Sequence, residues 1–387
     1  MANLPTKKPH ITFLFSDTGG GHRAASEAII EAIHYEFGEA VETQMVDFLK
    51  EYAPPPFNHL PEVYPDLVRA PELWGVMFDI SDGRPQARIV TSTFWPYVRR
   101  AAHRLVRNHH SDMLVCVHPV ANSFILKALG KNHPPFVTVV TDMVSTHALW
   151  FDKRADLILV PTEMARQRAL DYHMSPDKIR VVGQPVSQLC SAPVGDKALL
   201  RKSLGWPQTK KVILLVGGGE GMGPLTETAR AIDESGLDVC LVIVAGRNRK
   251  LEAELKERTW ENTVFIYGFT RDMPDFMRAA DVIVTKAGPG TIAEALNAEL
   301  PIILYAKLPG QEDGNVDFVV SEGVGIWAPE PLAVVRALTR WICRPSERRK
   351  VVKNCRRAAR PGAARQIALI LGKQVGLTGK SPEVHAT

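Results

Sequence analysis

Short apolar runs, each closed by glycine or a polar turn, recur along this chain: ITFLF from Ile11, MLVCV from Met113, FVTVV from Phe136, LILV from Leu157, VILLV from Val212, VCLVIV from Val239 and VIVT from Val282. Runs this short and this rich in Val and Ile predict strands buried on both faces. After the first of them the period lengthens, with Ala25, Ile29, Ala32, Ile33 and Phe37 falling on one helical face. Strand, turn and helix in alternation predict an α/β fold of parallel sheets covered on both sides. Two strands run into glycine-rich turns, GGGH at Gly19 and GGGEGMG at Gly217, so each half begins its own doubly wound sheet. Neither turn fits GxGxxG and neither carries GK[ST], which removes the dinucleotide fingerprint and the P-loop.

Length supports this division. A chain of 387 residues exceeds one typical hydrophobic core, and 45% hydrophobic content fills two. The segment QPVSQLCSAPVGD from Gln184 loses strand periodicity and gathers turn formers. The expected organisation is an N-terminal domain over 1–190, a second over 205–345, and a helical stretch over 346–376 that packs back on the first; the residues from about Leu377 onward read as disordered. The formal charge of +5, from 47 basic and 42 acidic residues, falls short of a nucleic-acid binder's signature. Five cysteines without a CxxC pair read as reduced intracellular thiols, and no stretch approaches the roughly 18 apolar residues of a membrane span. The run at Ile11 is too short for a signal-peptide core.

Candidate chemistry sits just beyond the strands. In SDTGGGHRAASEAI, Gly20 and Gly21 let the backbone approach a ligand, and His22 stands where a helix begins. A helix N-terminus keeps imidazole neutral, so His22 is a candidate general base, with Asp17 as the partner that orients its ring or as a cap of the turn. The second cluster spans Lys286 to Glu294, within TKAGPGTIAE. Here Gly288, Pro289 and Gly290 form a turn into a helix, Thr291 caps it or bonds a phosphate, and Glu294 presents a carboxylate suited to a ribose diol. Glu294 also fits a capping box with Thr291. PGQEDGN follows at Pro309, placing Gln311 and Glu312 on a loop. A diphosphate beside the hydroxyls of a ribose and a hexose suits this set, so the donor is expected to be a nucleotide-sugar, with Gly218 and Gly219 lining its glycine turn. TDMVSTHALW puts Asp142, His147 and Trp150 beyond the strand FVTVV, as acceptor-side candidates or as a packed loop. No DxD motif offers to hold a divalent ion.

The stretch FWPYVRRAAHRLVR sets Val98, Ala102 and Leu105 on one helical face and Arg100, Arg104 and Arg107 on another, behind Phe94, Trp95 and Tyr97. A basic amphipathic helix with an aromatic lead suits an anionic lipid surface, and an ordinary solvated helix has the same pattern. The proline-rich region Tyr52 to Pro71 adds apolar residues that read as an acceptor-binding lid.

Taken together, SDTGGGHRAA, TDxxxTHxxW, TKAGPGTIAEAL and PGQEDGN resemble the monogalactosyldiacylglycerol synthases, relatives of the bacterial diacylglycerol glucosyltransferases and of the lipid II-forming N-acetylglucosaminyltransferase. The resemblance covers roughly Ile11 to Arg360. It implies a GT-B architecture of two Rossmann-like domains facing across a cleft, with UDP-sugar on the second and diacylglycerol approaching the first. It implies His22 as base, Glu294 as ribose ligand, Gln311 and Glu312 as hexose contacts, and Phe269 as the position whose backbone reads uracil. The implied reaction is inverting transfer of a hexose, galactose favoured over glucose, from UDP-hexose to diacylglycerol, with no metal or other cofactor. A UDP-N-acetylhexosamine epimerase and a non-catalytic UDP-sugar sensor are the rival readings. With no plant-type transit extension seen, the chain is expected to be bacterial and peripheral on the cytoplasmic face of the cell membrane.

Overall fold

The computed structural model describes residues 7–379 apart from 69, 220 and 222; the expected disorder of the last residues therefore lies largely outside the described residues, as do two positions of the GGGEGMG loop. The chain forms two compact units, one running through Gln188 and resuming at Gly362, the other comprising Leu189–Pro361.

The first unit holds six parallel strands, β1 (His10–Phe15), β2 (Glu42–Asp47), β3 (Met113–Cys116), β4 (Phe136–Val139), β5 (Leu157–Val160) and β6 (Ile179–Val181), in the order β2-β1-β3-β4-β5-β6. Alternation along β1 divides its side chains between two cores. Ile11 and Phe13 pack with Ile29 and Ile33 of the helix Gly21–Phe37, while Leu14 joins Leu126, Phe136 and Trp150 on the other face. The second unit repeats the plan with β7 (Lys211–Val216), β8 (Val239–Val244), β9 (Thr263–Tyr267), β10 (Val282–Lys286), β11 (Ile302–Ala306) and β12 (Gly325–Trp327), ordered β12-β11-β10-β7-β8-β9. Each sheet starts in its middle and winds outward both ways, so each has a switch point, between β1 and β3 and between β7 and β10. Ligands of doubly wound sheets bind beyond the carboxyl ends of strands at such points.

Of the five strands absent from the seven apolar runs, β2, β6, β9 and β12 expose part of their side chains, which dilutes the apolar signal. The run in β11, IILYA, carries as direct a signal as the seven.

Two boundaries are corrected. The second unit begins at Leu189, and its first α-helix, Lys197–Ser203, is fastened by Arg201, whose guanidinium meets Asp281 at 2.8 Å and the Ala279 carbonyl at 2.8 Å. The expected helical stretch over 346–376 is two helices, Pro345–Ala358 and Ala363–Gln374, because Pro361 cannot continue the first. Only the second of them belongs to the first unit, where Ile367, Ala368 and Leu371 join the core beside Ile29 and Ile33.

Candidate active site

The first switch point is built around His22. Gly20 caps the helix Gly21–Phe37 in the left-handed region, φ 78°, where a side chain is strained, and this sharp entry sets His22 in the first turn. The imidazole Nδ1 lies 3.0 Å from Thr141 Oγ1, which follows β4. Its ring stands 4.5 Å from the ring of His118, which follows β3, and 6.0 Å from that of Trp150. Burial lowers the His22 pKa from 6.5 to about 4, with the Val117 backbone opposing. The positive end of the helix acts in the same direction as burial. Both effects favour the neutral form of His22, which has no proton to shed before accepting one.

His118 and Thr141 were not assigned from sequence. His118 Nδ1 accepts the Val120 N–H at 3.3 Å, capping the helix Pro119–Leu129. Burial holds its pKa well below 6.5, so the ring proton resides on Nε2, which faces Thr18 Oγ1 at 3.0 Å. The available signal was the position of HP directly after the apolar run MLVCV, whose strand lies beside β1 in a doubly wound order.

Asp17 does not orient His22. Its carboxylate accepts from Arg23 Nε at 3.1 Å, and its own N–H reaches Asp47 at 3.2 Å, so it stabilises the turn. The acceptor-side set is also corrected. Trp150 is fully buried and donates from Nε1 to Asp142 at 2.6 Å. His147 is buried, accepts the Leu149 N–H at 3.1 Å and faces Ser81 Oγ at 3.1 Å. Trp150, with Asp142 bonded to it, stands behind His22, while His147 packs against Phe78 and Ser81; all three are buried rather than forming a surface for a substrate.

The second switch point carries the donor-side candidates. The N-cap of the helix Pro289–Asn297 is Gly288, with no side-chain cap, and Pro289 is the first helical residue. Thr291 therefore lies in the third helical position instead of capping, and Glu294 is three residues too far along for a capping box. Glu294 is half-buried, and burial raises its carboxyl from 4.5 to about 7, with a hydrogen bond from the Cys190 thiol opposing. Among the described residues no cation is paired with this carboxyl, and a perturbed acid at a switch point is a candidate for a functional role.

Around it, the turn after β7 is closed by the Gly218 carbonyl accepting Gly221 N–H at 3.3 Å and the Gly219 carbonyl accepting Arg247 N–H at 2.8 Å. The Arg247 guanidinium also lies 5.1 Å from the centre of the exposed Phe269 ring. Asn315, the last residue of PGQEDGN, donates to the Ala287 carbonyl at 2.9 Å and so ties that motif to the glycine-proline turn. Glu312 departs from expectation: it is buried, with Oε1 2.6 Å from Lys286 Nζ and Oε2 accepting Leu308 N–H at 2.9 Å. Both oxygens are engaged within the protein, which assigns it to scaffolding rather than to direct hexose contact. Among the described residues no group of three or more His, Cys, Asp or Glu is placed to hold a metal ion.

The basic stretch is part of a longer helix, Arg84–Asn108. Trp95 does not face outward: it packs against the core, with Lys127 Nζ 4.7 Å from its ring. Arg100, Arg104 and Arg107 line a groove of about 850 Å³ beside Tyr52–Pro55, and Arg104 donates to the Tyr52 carbonyl at 3.3 Å. Ile89, Phe94 and Tyr97 of this helix are exposed, and the preceding helix, Pro71–Ser81, adds Leu73, Val76, Met77 and Ile80, which fall on one stripe.

Comparison with known proteins agrees along the whole chain. Residues 22–186 match the family model for monogalactosyldiacylglycerol (MGDG) synthase, and residues 212–330 match that for the glycosyltransferase family 28 C-terminal domain. The probable monogalactosyldiacylglycerol synthase 2 of Oryza sativa subsp. japonica is 37% identical over 92% of this chain and 78% of its own. Monogalactosyldiacylglycerol synthase 1 of Arabidopsis thaliana is 35% identical over 100% of this chain and 74% of its own. Among solved structures, Acinetobacter baumannii MurG aligns with a TM-score of 0.61 at 15% identity, covering 94% of this chain and 99% of its own. A putative UDP-N-acetylglucosamine 2-epimerase from Listeria monocytogenes aligns at 0.63 and 14%, covering 99% and 100%. At such identities these structures establish the GT-B fold alone. One expectation is overturned: the plant relatives are named as chloroplastic, not as proteins of a bacterial cytoplasmic membrane face. Among the described residues no helix is long and apolar enough to cross a membrane.

Proposed function

The chain belongs to the monogalactosyldiacylglycerol synthase family, GT-B enzymes that transfer galactose from UDP-galactose to diacylglycerol, and from that premise we propose that His22 is the base and Glu294 the ribose ligand of this reaction. His22 removes the proton from the acceptor hydroxyl as that oxygen attacks the anomeric carbon, and attack opposite the leaving group inverts an α-linked donor to a β-linked product. The observation that carries this reading is the neutral imidazole at the first switch point, fixed by Thr141 at 3.0 Å. On the donor side Glu294 accepts from the ribose hydroxyls, and the uncapped N-terminus of the helix Pro289–Asn297 receives the diphosphate. The Phe269 backbone, Gln311 and Thr291 complete the donor contacts. No metal takes part.

The test is purified protein with diacylglycerol and UDP-galactose or UDP-glucose. β-Galactosyldiacylglycerol is the expected product, formed at an undiminished rate in EDTA because helix N–H groups and side chains meet the leaving diphosphate. Loss of turnover on chelation, restored by magnesium or manganese, removes the metal-free account.

We propose further that the first unit docks on the membrane that holds its acceptor, through the stripe Leu73, Val76, Met77 and Ile80 and the arginines at 100, 104 and 107. Each basic residue near an anionic surface contributes about 1 kcal/mol, screened by salt. Replacing the three arginines by glutamine is expected to weaken binding to anionic vesicles strongly and to neutral vesicles little, measured by co-sedimentation. Unchanged binding to anionic vesicles assigns the arginines to an ordinary solvated groove.

A further inference from the structure

Lys286 ends β10, where the pairing with β11 slips register between Thr285 and Lys286. Its side chain is only 19% exposed. Two glycines make room for it. Gly218, at φ +71°, would with a Cβ meet Lys286 Cε at 3.0 Å, and a Cβ on Gly288 would meet Nζ at 3.1 Å. The lysine stem thus crosses the turn after β7, and its ammonium ends beside the N-cap of the helix Pro289–Asn297, at the second switch point. Glu312 fixes it there at 2.6 Å and is itself anchored by the Leu308 N–H. An ammonium has three donors, and the Glu312 contact takes one of them.

We propose that Lys286 is the cation that meets the departing diphosphate, and that Glu312 is its positioning residue. The inference rests on the donor-site reading above. In the transfer, the bond from the anomeric carbon to the β-phosphate oxygen breaks and its electron pair stays on that oxygen. The acceptor oxygen forms the new bond and its proton passes to the base. Charge therefore builds on the diphosphate as the sugar leaves, and a fixed ammonium offsets it where no divalent ion is required. Glu312, buried and held at both oxygens, keeps the lysine from swinging toward solvent and lowers its rotamer freedom before the donor arrives.

Calorimetry with two ligands tests this, since uridine carries the base and ribose but no phosphate. Lys286→Met is expected to weaken UDP binding about tenfold while leaving uridine binding unchanged, and to lower kcat about tenfold; Lys286→Arg restores UDP affinity in part. Glu312→Gln is expected to lower kcat with uridine affinity retained. Equal loss of UDP and uridine in Lys286→Met, or no change in either, overturns the assignment. If Lys286→Met fails to show a cooperative thermal transition, Lys286→Gln with the same ligand pair decides. Uridine binding that survives Glu294→Ala defeats the donor-site reading itself, an outcome separate from any result with Lys286.

Discussion

His22→Ala is expected to lower kcat by on the order of a hundredfold or more, with UDP affinity unchanged, because a positioned general base contributes roughly 10²–10⁴-fold. The ring is set by the glycine turn, by Thr141 and by the rings of His118 and Trp150, and its pKa of about 4 keeps it in the accepting form. Steady-state assays on diacylglycerol dispersed in detergent, beside calorimetry with UDP, separate the chemical step from donor binding. The variant must retain the parent's thermal transition. Turnover within a few fold of the parent would then exclude His22 as the base. Thr141→Val supplies a second reading: it leaves the imidazole in place without its hydroxyl partner, and a smaller loss of kcat, unaccompanied by a change in KM for the donor, is the signature of misorientation.

Glu294→Ala is expected to weaken UDP and uridine binding together, by about 1.5–3 kcal/mol for the loss of a charged acceptor. The raised pKa adds a pH dependence whose sign is fixed. Only the carboxylate accepts from both ribose hydroxyls, so with a pKa of about 7 affinity falls as pH drops from 8 to 6, by about tenfold at the lower end. Uridine does not ionise in that window, so the slope belongs to the protein. Glu294→Gln should bind weakly and show no slope. Stability runs the other way. Because the folded pKa lies above the ordinary 4.5, this group's contribution is fully present below about 4.5 and is lost as pH rises through about 7. The ligand-free Glu294→Gln protein is therefore expected to melt higher than the parent at pH 8 and no higher at pH 4. A parent whose uridine affinity is flat across the window contradicts the role assigned to this acid.

Both glycine turns and the helix start next to His22 were legible in the sequence because they are local: glycine after an apolar run, then a helical period. What was not legible depends on strand order and on burial. His118 and Thr141 reach His22 only because β3 and β4 follow β1 in the sheet, and Thr141 is remote from it along the chain. Asp17, five residues from His22, is claimed instead by Arg23, the residue next to His22 in the chain. Lys286 was only the first residue of the second cluster, with no role of its own, and Glu312 a loop acid implied to contact the hexose; the fold sets them 2.6 Å apart. Trp95, placed at the lead of a membrane-facing helix, packs against the core because sequence does not say whether a core or solvent meets an aromatic side chain.

The helix Ala363–Gln374 fills part of the first unit's core, and this has a consequence for synthesis. As the chain leaves the ribosome, the second unit is complete before the first is. Once Gln188 has been added, the first unit waits for Ile367 and Leu371 while 183 further residues (371 − 188) are added, about 10–40 s at ~5–20 residues per second. Over that interval the nascent first unit presents an open apolar seam, the kind of surface that chaperones bind and that neighbouring nascent chains join.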